Sequence, residues 1–170
     1  MIAPLAQLDL HGTGYCASLN FRRTARAVTR LYDLAFQGTG IRSTQFTILV
    51  GVAKVQAVSI SALGDILLID STTLTRSLAK LQKQGLLTVS KRAARRQRFV
   101  SLTEAGVKSL EESLPGWRAA QERFVKAVGS DFWLGFRSEL ERLAHVAVDL
   151  ETPPAEPANP LQQFRPLRAT

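Results

Sequence analysis

The sequence predicts a mainly α fold carrying one small β-hairpin, and three observations predict it. Apolar residues recur at helical spacing along most of the chain. Two short β-like runs flank a cation-rich stretch between Leu86 and Leu102. Hydroxyl, aspartate and glycine residues stand where helices would start and stop. At 170 residues the chain suits one domain better than two, and 45 % apolar with 21 % charged content is ordinary for a globular protein.

Each element has its own justification. A first long helix is expected from Thr13 to about Phe36, where Leu19, Leu31 and Leu34 run beside a basic set of Arg23, Arg26 and Arg30 until Gly38 and Gly40 end it. Ser43 or Thr44 starts a second helix, Gln45 to about Gln56, with Phe46, Leu49, Val50 and Ala53 inward. Ser59 caps a short third helix ending near Leu68, although Gly64 inside it costs about 1 kcal/mol of propensity relative to Ala. Asp70 caps a fourth, in which Leu74, Leu78 and Leu81 share one face and Gly85 is the stop. Leu86 to Val89 and Phe99 to Leu102 read as strands flanking Lys91 to Arg98, which is too charged to pack. Thr103 then caps a fifth helix striped by Leu110, Leu114, Trp117, Gln121, Phe124 and Val128, with Pro115 expected to kink or restart it. A last helix carries Trp133, Phe136, Leu140, Leu143, Ala147 and Leu150 at spacings of three and four. Such sustained stripes suit packing on another helix, internal or from a second subunit.

The fourth helix carries the chemistry. At 100° per residue, Thr72, Arg76 and Lys83 lie about 160–200° from Leu74, so an apolar back opposes a hydroxyl-and-cation front. Ser71, Thr72, Thr73 and Thr75 are poor helix-interior residues, yet they suit a helix start that faces phosphates and base edges. Arg76 is long enough for a guanine edge or a phosphate, and Lys80 extends the cationic side. A short helix, a tight connection and a second helix with a polar front describe a helix-turn-helix. The hairpin adds a second contact, with Arg95, Arg96 and Arg98 as candidates for a minor groove. Charge agrees: the net charge is +8, and the stretch from Asp70 to Val100 holds eight cations against a single acid, a footprint for a polyanion.

Asp70-Ser71-Thr72-Thr73-Leu74-Thr75-Arg76, Gly85-Leu86-Leu87, Arg95-Arg96 and Val100-Ser101-Leu102-Thr103-Glu104-Ala105-Gly106 together resemble the MarR family of bacterial regulators. Thr44-Gln45-Phe46 with Leu49 resembles that family's second-helix signature, and Arg22-Arg23, Arg26 and Tyr32-Asp33 the first helix of one branch. The resemblance covers roughly residues 13–150. It implies a winged helix-turn-helix with N- and C-terminal dimerisation helices, organised as an extension over 1–12, a helical dimerisation region over 13–42 and 104–150, a DNA-binding region over 43–103 and an irregular tail over 151–170. It further implies a homodimer on a palindromic operator of double-stranded DNA, acting as a repressor released by a small ligand or oxidant. Gln45 and Ser59 join the DNA-binding candidates, and Tyr32 and Trp117 become candidates for an effector pocket. Arg96 falls at the wing-tip arginine, but Ala94 stands where the family places a bracing aspartate.

Other readings are plainer. Cys16 lies about two residues before the reactive cysteine of a hydroperoxide-sensing branch, and a free cysteine is more often an inert small hydrophobe than a redox switch. His11 and His145 have no ligand-spaced neighbours, so no metal and no cofactor is expected. No nucleophile–base pair or phosphate loop points to an enzyme. No apolar run reaches the roughly 18–20 residues of a membrane span and the start lacks a secretory pattern, so a cytoplasmic protein without membrane contact is expected. The alternative function is a winged-helix protein-interaction module, or one that binds DNA without sequence choice. Short hydroxyls beside Arg76 argue for sequence-specific binding, since a purely electrostatic face needs none.

Overall fold

The computed structural model describes residues 8–91 and 97–151. Ala94, Arg95 and Arg96, most of the N-terminal extension and the tail from residue 152 onward lie outside the described residues. Two units are present, one up to Arg123 and one from Phe124.

In the first unit a 3-10 turn, Thr13–Tyr15, precedes helix α1, Ala17–Ala35. One continuous helix from Thr13 was expected. Cys16 interrupts it, with ψ at 117° outside the helical range. Helix α2 follows, Ser43–Val55, then strand β1, Val58–Ser59, helices α3, Ile60–Leu67, and α4, Ser71–Lys83, strands β2, Leu87–Lys91, and β3, Arg98–Leu102, and helix α5, Glu104–Val128. The three strands form an antiparallel sheet in the order β1-β3-β2, with Val89 opposite Val100 and Val58 on the other side of Val100. Hairpin β2–β3 follows the expectation, whereas β1 was not foreseen.

Leu49, Leu63, Leu81 and Val100 are fully buried, and Phe36, Leu74, Leu78 and Leu87 nearly so. They belong to one core that joins α2, α3, α4 and the sheet. Ala53, expected inward, is exposed, and Ile48 and Val52 are buried beside Phe46 and Leu49. Helix α2 is packed by α1, α3 and β3, so its buried surface is wider than one stripe. Leu68, in the left-handed region at φ 50°, ends α3.

Two contacts fix the hairpin to the helices. Gly85 adopts φ 74° in the turn from α4 into β2, a conformation glycine takes without steric cost. The Thr103 hydroxyl donates to the Gly85 carbonyl at 2.7 Å and accepts from the Gly106 N–H at 3.0 Å, capping α5 onto that turn. Helix α5 runs unbroken through Pro115, so the proline does not restart it. The proline is exposed, so the Glu111 carbonyl it leaves without an amide donor lies on a solvent-facing side.

In the second unit, helix α6, Ser130–Glu151, buries no residue. Phe124 meets Trp133 edge to face at 5.4 Å, and Phe132 stacks on Phe136 at 5.5 Å. Phe132, Leu134 and Leu150 are 60 %, 61 % and 80 % exposed, a large apolar load for a surface helix.

Candidate nucleic-acid interface

Helix α4 begins at a built cap. Asp70 is extended, its Oδ1 accepts the Thr73 N–H at 2.9 Å, and its carbonyl accepts the Leu74 N–H at 2.9 Å. Hydrogen bonding by Thr73 holds the Asp70 carboxyl below its ordinary range, so the cap is ionised at neutral pH. Leu74, Leu78 and Leu81 are buried, while Ser71, Thr72, Thr73, Thr75, Arg76, Lys80 and Lys83 are exposed. Four hydroxyls and a guanidinium therefore stand together at the positive end of a rigidly seated helix. Neutral donors that small permit close approach to a phosphate or base edge, and Arg76 adds reach and charge. Arg98 is exposed at the start of β3, opposite Lys91 in register.

One candidate is corrected. Gln45 is buried, 7 % exposed, and its amide is occupied: Nε2 donates to Gln84 Oε1 at 2.7 Å, and Oε1 accepts the Arg42 N–H at 3.1 Å. It ties the start of α2 to the end of α4 and has no free face for DNA. Ser59 caps α3 as expected, half-buried, with its hydroxyl accepting the Ala62 N–H at 3.2 Å.

Sequence reasoning named Asp33 within the first-helix resemblance but gave it no role. Its Oδ1 accepts the Ser43 N–H at 2.8 Å and its Oδ2 lies 3.4 Å from Arg42 Nη1, so a residue of α1 secures the first turn of α2. Burial raises the Asp33 carboxyl, but the Ser43 hydrogen bond and the Arg42 guanidinium more than offset this and hold it below its ordinary range. An acid ten residues before a helix start carries no sequence signal of its own.

The winged helix DNA-binding domain family matches residues 43–106, which span α2 to the first turn of α5. No curated protein sequence matches the chain. Among solved structures, the transcriptional regulator MosR of M. tuberculosis, in complex with DNA, is 30 % identical, with 81 % of this chain and 99 % of MosR covered at a TM-score of 0.74. The chain belongs to the MarR-type winged-helix transcriptional regulators. A mutant E. coli MarR complexed with operator DNA shares the fold at 19 % identity, covering 80 % of this chain and 99 % of that one, TM-score 0.71. PcaV of Streptomyces coelicolor, in complex with its natural ligand, does so at 18 % identity over 86 % and 99 %, TM-score 0.70. These relatives are regulators rather than enzymes.

The MarR-type fold here forms an open-sided cavity of about 690 Å³ lined by α1, α2, α3 and α5. Tyr32, Phe36, Phe46, Val50 and Trp117 make it apolar, and Lys54 is the charged residue in its lining. Phe46 lies tilted against Phe36 at 4.8 Å and stacks on Trp117 at 6.3 Å. Tyr32 Oη donates to Gln121 Oε1, joining α1 to α5, and burial raises the phenol above its ordinary range. Tyr32 and Trp117, candidates from the sequence, thus line one cavity. Cys16 is exposed in the single chain, just before α1. No group of three or more metal-ligating residues occurs among the described residues, and no helix there is long and apolar enough to cross a membrane.

Proposed function

We propose that the protein is a homodimeric regulator that reads a palindromic operator with helix α4, represses transcription from it, and is released by a small ligand. The observation that carries this reading is the division of α4 into a buried leucine back and an exposed front of Ser71, Thr72, Thr73, Thr75 and Arg76 at its capped start. A helix seated that way presents base-reading groups without loop mobility. Arg98, with Arg95 and Arg96 of the hairpin sequence, supplies phosphate or minor-groove contact beside it.

Dimerisation is supported by apolar side chains that each terminal helix leaves in solvent. Leu19, Phe21 and Leu34 of α1 are 43 %, 47 % and 63 % exposed, and α6 exposes Phe132, Leu134 and Leu150. Covering such helices with a second copy removes that surface from water. Release by a ligand is supported by the 690 Å³ cavity, whose size is that of a small-molecule site. Aromatic walls with Lys54 in the lining favour a flat, apolar molecule bearing a negative charge, and PcaV, which shares the fold, is known in complex with a natural ligand.

Selection of bound genomic fragments, followed by binding measurements across salt concentrations, tests the reading. The expected result is a shared inverted repeat bound at least about 10³-fold more tightly than unrelated duplex. Equal affinity for all sequences, with a salt slope alone, would instead identify a module that binds polyanions or acidic proteins without choice. Release by peroxide that disappears in Cys16→Ser would assign the signal to an oxidant.

A further inference from the structure

A second hollow meets the aromatic cavity at Phe36 and differs from it in carrying several charged side chains. It is an open groove of about 570 Å³ at the junction of α1, the start of α2 and the end of α4. Arg30 comes from α1, Arg42 from the residue before α2, and Lys80 from α4, so three cations from three elements line one groove. Asp33, Gln45 and Gln84 complete its polar wall. Asp33, held ionised by the Ser43 N–H and Arg42, offsets one of the three charges, so the groove keeps an excess of two positive charges. Arg42 is 72 % exposed and holds Asp33 through a single long contact, which leaves most of its donors for another acceptor. Arg30 and Lys80 have no ion-pair or hydrogen-bond partner among the described residues. The Gln45–Gln84 hydrogen bond fixes the end of α4 against the start of α2, so the spacing of the three cations is set by packing.

We propose that this groove seats a backbone phosphate of the bound duplex, outside the base-reading front of α4. The inference rests on α4 reading DNA. Lys80 stands one helical turn, about 6 Å along the axis, beyond Arg76. A strand whose bases meet the start of α4 leaves the groove near its end, where Lys80, Arg42 and Arg30 continue the positive surface. Contacts of this kind fix register and orientation on the duplex and carry no sequence information. The groove is open to solvent, as a continuous polyanion requires. A free phosphorylated small molecule shares the same chemistry and is the competing source.

Arg30→Gln is the cleanest probe, because it removes one charge and no described contact. Binding to the selected operator is measured against salt for the parent, Arg30→Gln, Lys80→Gln and Arg30→Lys, with thermal midpoints as folding controls. Each glutamine variant is expected to flatten the log–log salt slope by about 0.9 per chain engaged, and to weaken binding about 8-fold per chain at 0.1 M salt, with operator choice unchanged. Arg30→Lys is expected to retain the parent slope. Unchanged slopes in both glutamine variants overturn the proposal, and if Arg76→Ala still alters operator choice the reading of α4 stands without it. Stabilisation by millimolar inorganic phosphate that Arg30→Gln abolishes, with the DNA salt slope unaltered, would reassign the groove to a free phosphate and equally overturn the duplex assignment.

Discussion

Gly106→Ala tests how the hairpin and α5 are locked together. Alanine is the better helix former by about 1 kcal/mol, so on an open helix this exchange stabilises. Here the added Cβ would lie 1.9 Å from the Leu86 carbonyl oxygen, 3.0 Å from its carbon and 3.4 Å from Leu102 Cδ2. Ordinary contact begins near 3.4 Å, so backbone must retreat by about 1.5 Å. The obstacle is a carbonyl that also accepts the Thr103 N–H at 3.2 Å, and no rotamer relieves it. Overpacking costs of about 1–3 kcal/mol, and more where only backbone can yield, outweigh the propensity gain, giving a net loss of about 2 kcal/mol. Urea denaturation followed by far-ultraviolet circular dichroism reads this directly. The exposed neighbour serves as control, since Ala105→Gly should lose only the propensity difference of about 1 kcal/mol. Operator affinity of Gly106→Ala should also fall, because Leu86 leads straight into β2 from the turn that ends α4. A Gly106→Ala protein as stable as the parent would falsify the close approach of α5 to Leu86.

Other outcomes follow from the same packing. Leu81→Ala, at a fully buried position, should cost about 2–5 kcal/mol in urea melts, whereas Thr72→Ala on the exposed front should stay within about 0.5 kcal/mol. Tyr32→Phe removes the hydrogen bond to Gln121 and should cost about 1 kcal/mol, read by thermal melts, while changing the affinity of any ligand in the aromatic cavity, read by calorimetry. Asp33 and Asp70 are both held below the ordinary carboxylate range. Their contribution to stability is therefore fully present above the unfolded value of about 3.9 and lost as pH falls through the folded values. Acid melts of Asp33→Asn with Asp70→Asn should accordingly show a shallower decline of stability below pH 4 than the parent, and equal declines would refute the two caps.

What the sequence disclosed depended on whether a signal repeats. Leu74, Leu78 and Leu81 recur at helical spacing and Asp70 stands at the right distance, so α4 and its exposed front were legible. The two short apolar runs of the hairpin flank a stretch of cations, and β2 and β3 follow within a residue or two. Strand β1 has two residues, too few for any period, and is reached through Gln56 and Ala57, both at positive φ without being glycine. Ala53 was misplaced because α2 is buried on several sides, where a one-stripe rule fails. Gln45 was misread because a glutamine at a helix start resembles a surface contact, and only packing shows its amide consumed by Gln84 and Arg42. The cationic groove was invisible for a related reason: Arg30, Arg42 and Lys80 are distant in sequence and meet only in the fold.

Fluorescence anisotropy of a labelled operator duplex with Thr72→Ala and Arg76→Ala, set beside duplexes mutated one base pair at a time, bears most directly on the role of α4. Both variants should fold like the parent, lose affinity, and no longer distinguish one or two of the base pairs the parent distinguishes, each discrimination being about 1–3 kcal/mol. Variants that bind every duplex in the parent's order and strength would place sequence reading elsewhere in the molecule.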